Sequence, residues 1–132
     1  RDWGHAKDYV EGMWKMLQYK NPQDYILATG ESHSVREFLI KALSIVGIKI
    51  SFRGKKSDEV GIVTENRGSG MVTIGQKIIK IDKRYYRPSE VDTLKGDPSK
   101  AKKLLNWIPS YNFDSIVEEM VEADLEKFKP SE

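Results

Sequence analysis

An arginine and a carboxylate stand three residues apart in segment 85–92, which reads YYRPSEVD. Pro88 disfavours helical geometry at Arg87, and a polyproline-type backbone, which turns once in three residues, would put Arg87 and Glu90 on one side about 9 Å apart. A guanidinium matches phosphate oxygens with a planar fork of donors, and a carboxylate accepts hydrogen bonds from ribose hydroxyls. The pair could therefore bind a nucleoside diphosphate through its phosphates and its sugar.

The same spacing also fits a surface turn in which Arg87 and Glu90 pair only with each other. Exposed pairs of this kind are common and contribute at most about 1 kcal/mol. Taken alone, the spacing favours the surface pair. Tyr85 and Tyr86 are also open to two interpretations, since they could line a ligand cleft or simply pack.

The rest of the chain makes the nucleotide hypothesis the stronger one. Segment 1–10 reads RDWGHAKDYV, segment 28–38 contains ATG followed by SVREF, and segment 86–101 contains YRPSEVD followed by GDPSKA. In this order they resemble the carboxyl-terminal portion of the GDP-mannose 4,6-dehydratase family, which belongs to the extended short-chain dehydrogenases/reductases that act on nucleotide sugars. The resemblance extends from Arg1 to about Lys129.

The resemblance implies an α/β fold: the carboxyl-terminal, substrate-binding portion of a Rossmann-type extended short-chain dehydrogenase, with parallel strands, a small hairpin and several helices. Residues 1–132 would form the nucleotide-sugar-binding portion, and residues 1–30 would contribute the last helix and strand of the cofactor-binding sheet. The amino-terminal NADP-binding part would lie outside this sequence, and a start at Arg1 agrees with an excerpt of a longer protein. Residues 1–27 should then expose an apolar edge.

The complete enzyme implied by the resemblance converts GDP-mannose to GDP-4-keto-6-deoxymannose with loss of water, uses NADP and serves deoxyhexose biosynthesis of the GDP-fucose type. It would be a cytoplasmic homo-dimer or homo-tetramer. Arg1 and Arg87 match the positions that clamp the diphosphate, and Glu90 matches the carboxylate that holds the ribose. Tyr86 would line the cleft.

Other residues of these motifs have structural interpretations. Asp8 lies in the first turn of a predicted helix, where a carboxylate meets the positive end of the helix dipole. We expect His5 to form a structural hydrogen bond, and Arg36 to pair with an acidic neighbour or a partner subunit. The three tryptophans are predicted packing residues: Trp3, Trp14 and Trp107.

Two features that the chemistry of this family needs are missing from the sequence. The close pair Gly68 and Gly70 is followed by Thr73 where a dinucleotide-binding fingerprint requires a third glycine. No tyrosine is followed four positions later by the lysine that would lower the pKa of its phenol. We therefore predict no catalytic and no cofactor-binding residue in this chain, and the segment alone should be inactive.

Composition argues against several other classes of protein. The 132 residues contain no cysteine and two histidines, so neither a disulfide nor a usual zinc site is expected. No apolar run approaches the ~20 residues that a membrane helix needs. A net charge of +2, from 22 basic and 20 acidic residues, is far from the concentrated basic face of a nucleic-acid binder. We expect one domain without metal, membrane or nucleic acid.

Two alternatives of other classes stay open. The chain could be a free-standing nucleotide-binding module without catalysis. It could also be an interaction domain whose basic surface consists of Arg53, Lys55, Lys56, Arg67, Lys80, Lys83, Arg84 and residues 100–103. Interleaved acidic residues argue against this second alternative.

Apolar periodicity and capping signals predict four helices. They begin at about His5, at the capping box of Ser34 and Glu37, at Asp97-Pro98 and at Asp114. The apolar face of the first helix consists of Val10, Met13, Trp14 and Leu17. Residues predicted to face inward from the last helix are Ile116, Val117, Met120, Val121, Leu125 and Phe128.

Strands are predicted where apolar residues run together or alternate with polar ones. Residues 1–4 have the pattern of the end of a strand, and Tyr25–Ala28 that of a parallel strand buried on both faces. Residues 48–52 alternate as in a half-exposed strand. Two more strands, Met71–Ile74 and Ile78–Ile81, would form a small hairpin.

Overall fold

The chain forms helices and a small sheet in the computed structural model, which describes residues 1–68, 70, 72–87, 91 and 93–129. In chain order the elements are α1 (Ala6–Gln18), α2 (Val35–Ile45), β1 (Ile48–Arg53), β2 (Val60–Asn66), β3 (Lys77–Lys80), α3 (Ser99–Leu105) and α4 (Phe113–Lys127). They divide between two units: unit 1 comprises Arg1–Val35 and Asp92–Glu132, and unit 2 comprises Arg36–Val91. Among the described residues, no helix is long and apolar enough to cross a membrane.

The two sides of α1 have opposite environments. At its start, Nδ1 of His5 accepts a hydrogen bond from the backbone nitrogen of Lys7 (3.1 Å), which satisfies one of the amides left unpaired at a helix start. Asp8 and Gly12 lie on the buried side. Apolar side chains on the other side are 57–82% exposed: Val10, Met13, Trp14 and Leu17. The apolar edge expected within residues 1–27 is therefore confirmed.

The core of unit 1 forms where α1 meets α3. Ala101 and Leu105 of α3 are buried together with Trp107, which is 1% exposed. The indole nitrogen donates to the backbone carbonyl oxygen of Asp8 in α1 (2.8 Å), so this large ring is buried with its donor paired. Partly buried residues that pack against the cluster are Tyr9, Met16, Tyr19, Tyr25 and Leu27.

Unit 2 contains an antiparallel sheet in the order β1-β2-β3. β1 pairs with β2 from Ile48 opposite Asn66, and β2 pairs with β3 from Val60 opposite Lys80. β2 is the central strand, and its residue Val63 is buried. The mixed α/β class predicted from the sequence is confirmed, and the predicted strand at residues 48–52 corresponds to β1.

The predicted parallel strands are not seen among the described residues. Residues 1–4 and Tyr25–Ala28 form no strand, and Ile26 is 56% exposed although its run has the pattern of burial on both faces. A strand requires backbone pairing with a neighbour. Among the described residues, the paired strands are the three antiparallel ones of unit 2.

The predicted hairpin is only partly correct. β3 matches its second strand, but the partner of β3 is β2, which the sequence prediction does not contain. Of the predicted strand Met71–Ile74, Met71 lies outside the described residues, and residues 72–74 lead into a turn at Gly75, where φ is +88° and glycine is favoured. The β-branched run VGIVT in β2 is the signal that could have identified the missing strand.

The last helix starts earlier and is less buried than predicted. α4 begins at Phe113, because Asn112 and Ser115 form a reciprocal capping box. Ile116 and Val117 face inward as predicted. Four residues that are predicted to be buried are exposed. They are Met120, Leu125 and Phe128 at the end of the chain and Trp14 in α1.

We expect Gly12→Ala to destabilise unit 1, although alanine is the better helix former. An added Cβ would lie 2.6 Å from Cδ1 of Leu27 and 2.9 Å from the indole nitrogen of Trp107. Helix propensity favours alanine by about 1 kcal/mol, but overpacking costs about 1–3 kcal/mol, and displacing the indole also weakens its hydrogen bond. Urea unfolding of the chain should show a net loss of about 1–2 kcal/mol.

Gly70→Ala is the control for this prediction. An added Cβ at Gly70 would meet nothing within 4 Å, so the unfolding free energy should change by less than about 0.5 kcal/mol. Equal stability of Gly12→Ala and the wild type would contradict the tight contact between α1 and Trp107.

Candidate functional site

Arg1, the predicted diphosphate ligand in unit 1, is held through its backbone. The terminal amino group of Arg1 donates to the carbonyl oxygen of His33 (2.6 Å), and the His33 backbone nitrogen donates to the Arg1 carbonyl oxygen (2.8 Å). This reciprocal pair resembles a hydrogen-bonded pair of antiparallel strands. It limits the region that the guanidinium of Arg1 can reach.

Asp2 connects the Arg1 segment to two other loops. Its carboxylate accepts hydrogen bonds from the backbone nitrogen (2.8 Å) and the hydroxyl (2.6 Å) of Thr29 and from the backbone nitrogens of Gly30 (3.0 Å) and Gly96 (3.1 Å). Burial raises the pKa of Asp2, but these hydrogen bonds outweigh burial, and the pKa lies below its ordinary value. The carboxylate is therefore ionised at neutral pH.

A cavity of about 200 Å³ lies next to Trp3 and His33 in unit 1. Rings form much of its wall, since His33 stacks on Phe113 with centroids 3.9 Å apart and Trp3 lies 5.7 Å from Phe113. The other lining residues are Thr29, Glu31, Ile108, Pro109, Tyr111 and Asn112. Pockets for drug-sized ligands measure about 300–1,000 Å³, so this cavity has room for one ring but not for a whole nucleotide sugar.

His33 gives the cavity wall an unused polar atom. Its Nε2 is buried without a hydrogen-bond partner among the described residues and lies 3.6 Å from Oε2 of Glu31, which is too far for a hydrogen bond. In the described part of the chain, no group of three His, Asp or Glu side chains could hold a metal ion. The cavity can therefore offer aromatic faces and an imidazole nitrogen to a small ring.

Asp8 is a buried carboxylate with 2% of its surface exposed. It accepts hydrogen bonds from the backbone nitrogen (3.1 Å) and hydroxyl (2.6 Å) of Ser110 and from the backbone nitrogen of Tyr111 (3.1 Å). Burial raises the pKa of Asp8, yet these hydrogen bonds bring the pKa below its ordinary value. The predicted first-turn position is confirmed, but sequence reasoning missed the anchor, because its partners are 102 and 103 residues away.

His5 has the structural role predicted for it. Besides capping α1, its ring stacks on Tyr111 with centroids 3.9 Å apart, and its Nε2 lies 3.5 Å from Glu119 of α4. Lys7 donates to the hydroxyl of Tyr111 (3.1 Å) and lies 3.4 Å from Glu119. These contacts connect the start of α1 to α4.

In unit 2, the residues before Arg87 form a short 3-10 turn, Lys83–Tyr85, whose cap is Asp82. The guanidinium of Arg84 pairs with Asp82 (2.6 Å) and lies 5.5 Å from the ring centroid of Tyr85. Hydrogen bonding to Asp82 raises the pKa of Arg84. Arg84 is therefore engaged within the turn.

Arg87 is exposed, as a ligand-binding side chain must be. With the residues that the structure describes it makes no hydrogen bond or ion pair.

Tyr86 is in extended backbone and 39% exposed, so the described chain does not bury it. Glu90 lies outside the described residues, and its spacing from Arg87 stays a prediction. Since Arg1 and Arg87 belong to different units, their joint hold on one diphosphate also stays a prediction.

Arg36 pairs with an acidic neighbour, as predicted. Its guanidinium lies 2.5 Å from Glu59 and 5.0 Å from the ring centroid of Phe52. The hydrogen bond to Glu59 raises the pKa of Arg36. Arg36 therefore connects the start of α2 to the residue before β2 and to β1.

The chain is similar to several known proteins. Residues 1–120 match the family described as GDP-mannose 4,6 dehydratase. The chain is 52% identical to the GDP-mannose 4,6 dehydratases of Cricetulus griseus and Homo sapiens over 126 residues, which cover 96% of this chain and 32% of each relative. It is 44% identical to the GDP-mannose 4,6-dehydratase of Yersinia enterocolitica over 131 residues, 98% of this chain and 35% of the relative. The chain thus spans about a third of the length of these curated relatives.

We expect the unfolding free energy of the chain to fall as the pH decreases through the acid range. Because the pKa of Asp8 is lowered in the folded protein, its contribution to stability is fully present above the ordinary value of 3.8 and is lost as the pH falls through the lower folded-state value. Asp8→Asn should remove this part of the pH dependence. It should also cost about 2–3 kcal/mol at neutral pH, since an amide donor would face backbone donors.

Urea unfolding between about pH 7 and pH 3 measures both effects. Asp24→Asn is the matched control, because Asp24 is exposed and its carboxylate can be solvated in either state. If Asp8→Asn lost as much stability on acidification as the wild type does, the loss of stability at acid pH would not come from protonation of Asp8.

Proposed function

Because the chain belongs to the GDP-mannose 4,6-dehydratase family, we propose that it is the substrate-binding portion of an enzyme that converts GDP-mannose to GDP-4-keto-6-deoxymannose with loss of water. The observation that carries this proposal is the family match over residues 1–120, because it includes every residue predicted to contact the substrate. The reaction would serve deoxyhexose biosynthesis of the GDP-fucose type.

NADP is the cofactor that the family implies, but the residues of this chain do not fit it. A dinucleotide needs a glycine-rich turn between a parallel strand and a helix start, whereas the described sheet is antiparallel and the sequence has no such glycine run. The tyrosine and lysine pair of the family is also missing. NADP would bind in another part of the enzyme, and this chain would contribute substrate binding.

Arg87 and Arg1 would bind the two phosphates of the substrate. The exposure of Arg87 and the absence of a competing ion pair with the described residues support this role, whereas its neighbour Arg84 is engaged within its turn. Glu90 would accept hydrogen bonds from the ribose hydroxyls, and Tyr86 would line the cleft. Binding energy from GDP would help to hold the hexose against the reacting groups.

Residues 1–30 would form the last helix and strand of the cofactor-binding sheet. Support comes from the exposed apolar side of α1, whose spacing is typical of a helix that packs on another layer. The apolar run Tyr25–Ala28, which has no strand partner among the described residues, fits the same interpretation. A cytoplasmic location and a homo-dimeric or homo-tetrameric assembly are proposed from the family resemblance alone.

In the full-length enzyme, we expect Arg87→Ala to raise the KM for GDP-mannose about tenfold to a hundredfold while NADP affinity barely changes. The loss of one charge-assisted hydrogen bond, which contributes ~1.5–3 kcal/mol, corresponds to a fold-change in affinity of this size. The kcat should also fall, because weaker GDP binding leaves the hexose less well positioned. Steady-state kinetics and a separate NADP titration measure the two effects.

Arg53→Ala is the matched control, since Arg53 is an exposed arginine of the same unit. Its KM for GDP-mannose should stay within about twofold of the wild-type value. Loss of NADP affinity in Arg87→Ala with an unchanged KM for GDP-mannose would refute the assignment.

A further inference from the structure

We propose that Asp2 is a positioning residue that holds Arg1 in the geometry needed to bind the substrate diphosphate. The inference rests on the proposed function, because it takes the guanidinium of Arg1 as a phosphate ligand. Asp2 follows Arg1 directly in the chain. Contacts that fix Asp2 therefore also fix the backbone from which the Arg1 side chain extends.

The carboxylate of Asp2 has no capacity left for a ligand. A carboxylate offers about four acceptor sites. Asp2 uses one for each of its hydrogen bonds, at 2.6 and 2.8 Å to Thr29, 3.0 Å to Gly30 and 3.1 Å to Gly96. Its role is thus to order protein groups rather than to contact the substrate.

Close packing brings these donors to Asp2. Gly30 has a φ of +80°, which favours glycine. At Gly96, an added Cβ would lie 2.3 Å from the Cβ of buried Ala28, so a side chain there would force the loop away. We refer to Asp2, Ala28, Thr29, Gly30 and Gly96 as the Asp2 junction.

Arg1 is held between the Asp2 junction and His33. On one side is the carboxylate of Asp2 with its four donors. On the other side are two hydrogen bonds with the backbone of His33, at 2.6 Å from the terminal amino group of Arg1 and at 2.8 Å to its carbonyl oxygen. The backbone of Arg1 is therefore ordered before any ligand binds. A preorganised ligand-binding residue loses less entropy on binding, which increases affinity.

The charge of Asp2 gives the test a clear sign. Asp2 is an anion next to Arg1, the residue proposed to bind the phosphates. By electrostatics alone, neutralisation of Asp2 should therefore strengthen diphosphate binding. A positioning role predicts the opposite result. Asp2→Asn keeps the size of the side chain but replaces an acceptor oxygen with a donor, which leaves donors of the Asp2 junction unpaired and loosens Arg1.

The experiment compares Asp2→Asn, Arg1→Ala and the double variant in the full-length enzyme. We expect Arg1→Ala to raise the KM for GDP-mannose tens of fold and Asp2→Asn to raise it about fivefold to tenfold, with a smaller change in kcat and unchanged NADP affinity. In the Arg1→Ala background, Asp2→Asn should raise the KM by less than about twofold, because a residue that acts through Arg1 has nothing left to position.

Thr29→Val is the second variant, and it decides the question if Asp2→Asn does not fold. It removes the hydroxyl donor but keeps both backbone donors of the 29–30 turn, so the KM should rise about twofold to threefold. Asp97→Asn is the matched control. Asp97 follows Gly96 but accepts from Ser99 at the start of α3 (2.9 Å), so its KM should stay within about twofold of the wild-type value.

Two results would overturn the positioning role and leave the proposed function intact. One is a KM that stays unchanged or falls in Asp2→Asn, or in Thr29→Val if the first variant does not fold, while Arg1→Ala raises it. The other is a full, independent effect of Asp2→Asn in the Arg1→Ala background. If Arg1→Ala and Arg87→Ala both leave the KM unchanged, the proposed function fails and the positioning role fails with it.

Discussion

Unit 1 depends on the buried carboxylate of Asp8. An ionised group away from water is strongly destabilising unless hydrogen bonds replace its hydration, and Asp8 finds its donors in Ser110 and Tyr111. The backbone carbonyl of the same residue accepts from the indole of Trp107. The start of α1, the core ring and the segment before α4 are therefore tied to one arrangement. The cavity wall at Tyr111 and Phe113 follows directly from this segment.

The first family motif combines framework and ligand-binding roles within ten residues. His5 caps α1, Asp8 anchors the segment before α4, and Asp2 orders the loops that contain Thr29 and Gly96. In the proposed function, Arg1 is the residue of this motif that binds the substrate. These ten residues therefore hold the fold of unit 1 together and, under the proposed function, also contribute to substrate binding.

Local signals were sufficient for the helices but not for their buried faces. Capping residues and apolar spacing predict the existence and approximate limits of α1, α2, α3 and α4. In α1, however, the side with the large apolar residues is exposed, and the side with Gly12 is buried. The reason is steric: the indole of Trp107 and the side chain of Leu27 occupy the space that a glycine leaves open, and this contact has no signature within the helix.

The sequence by itself determined the family resemblance, the helices, the absence of cysteine and of a glycine-rich fingerprint, and the residue types able to bind a nucleoside diphosphate. Tertiary structure decided which strands pair, that Arg87 is exposed, and which donors surround Asp2 and Asp8. These features depend on contacts between segments as far as 94 residues apart for Asp2 and 103 for Asp8. Backbone pairing and the compensation of a buried charge need a partner from another part of the chain, and no local pattern identifies that partner.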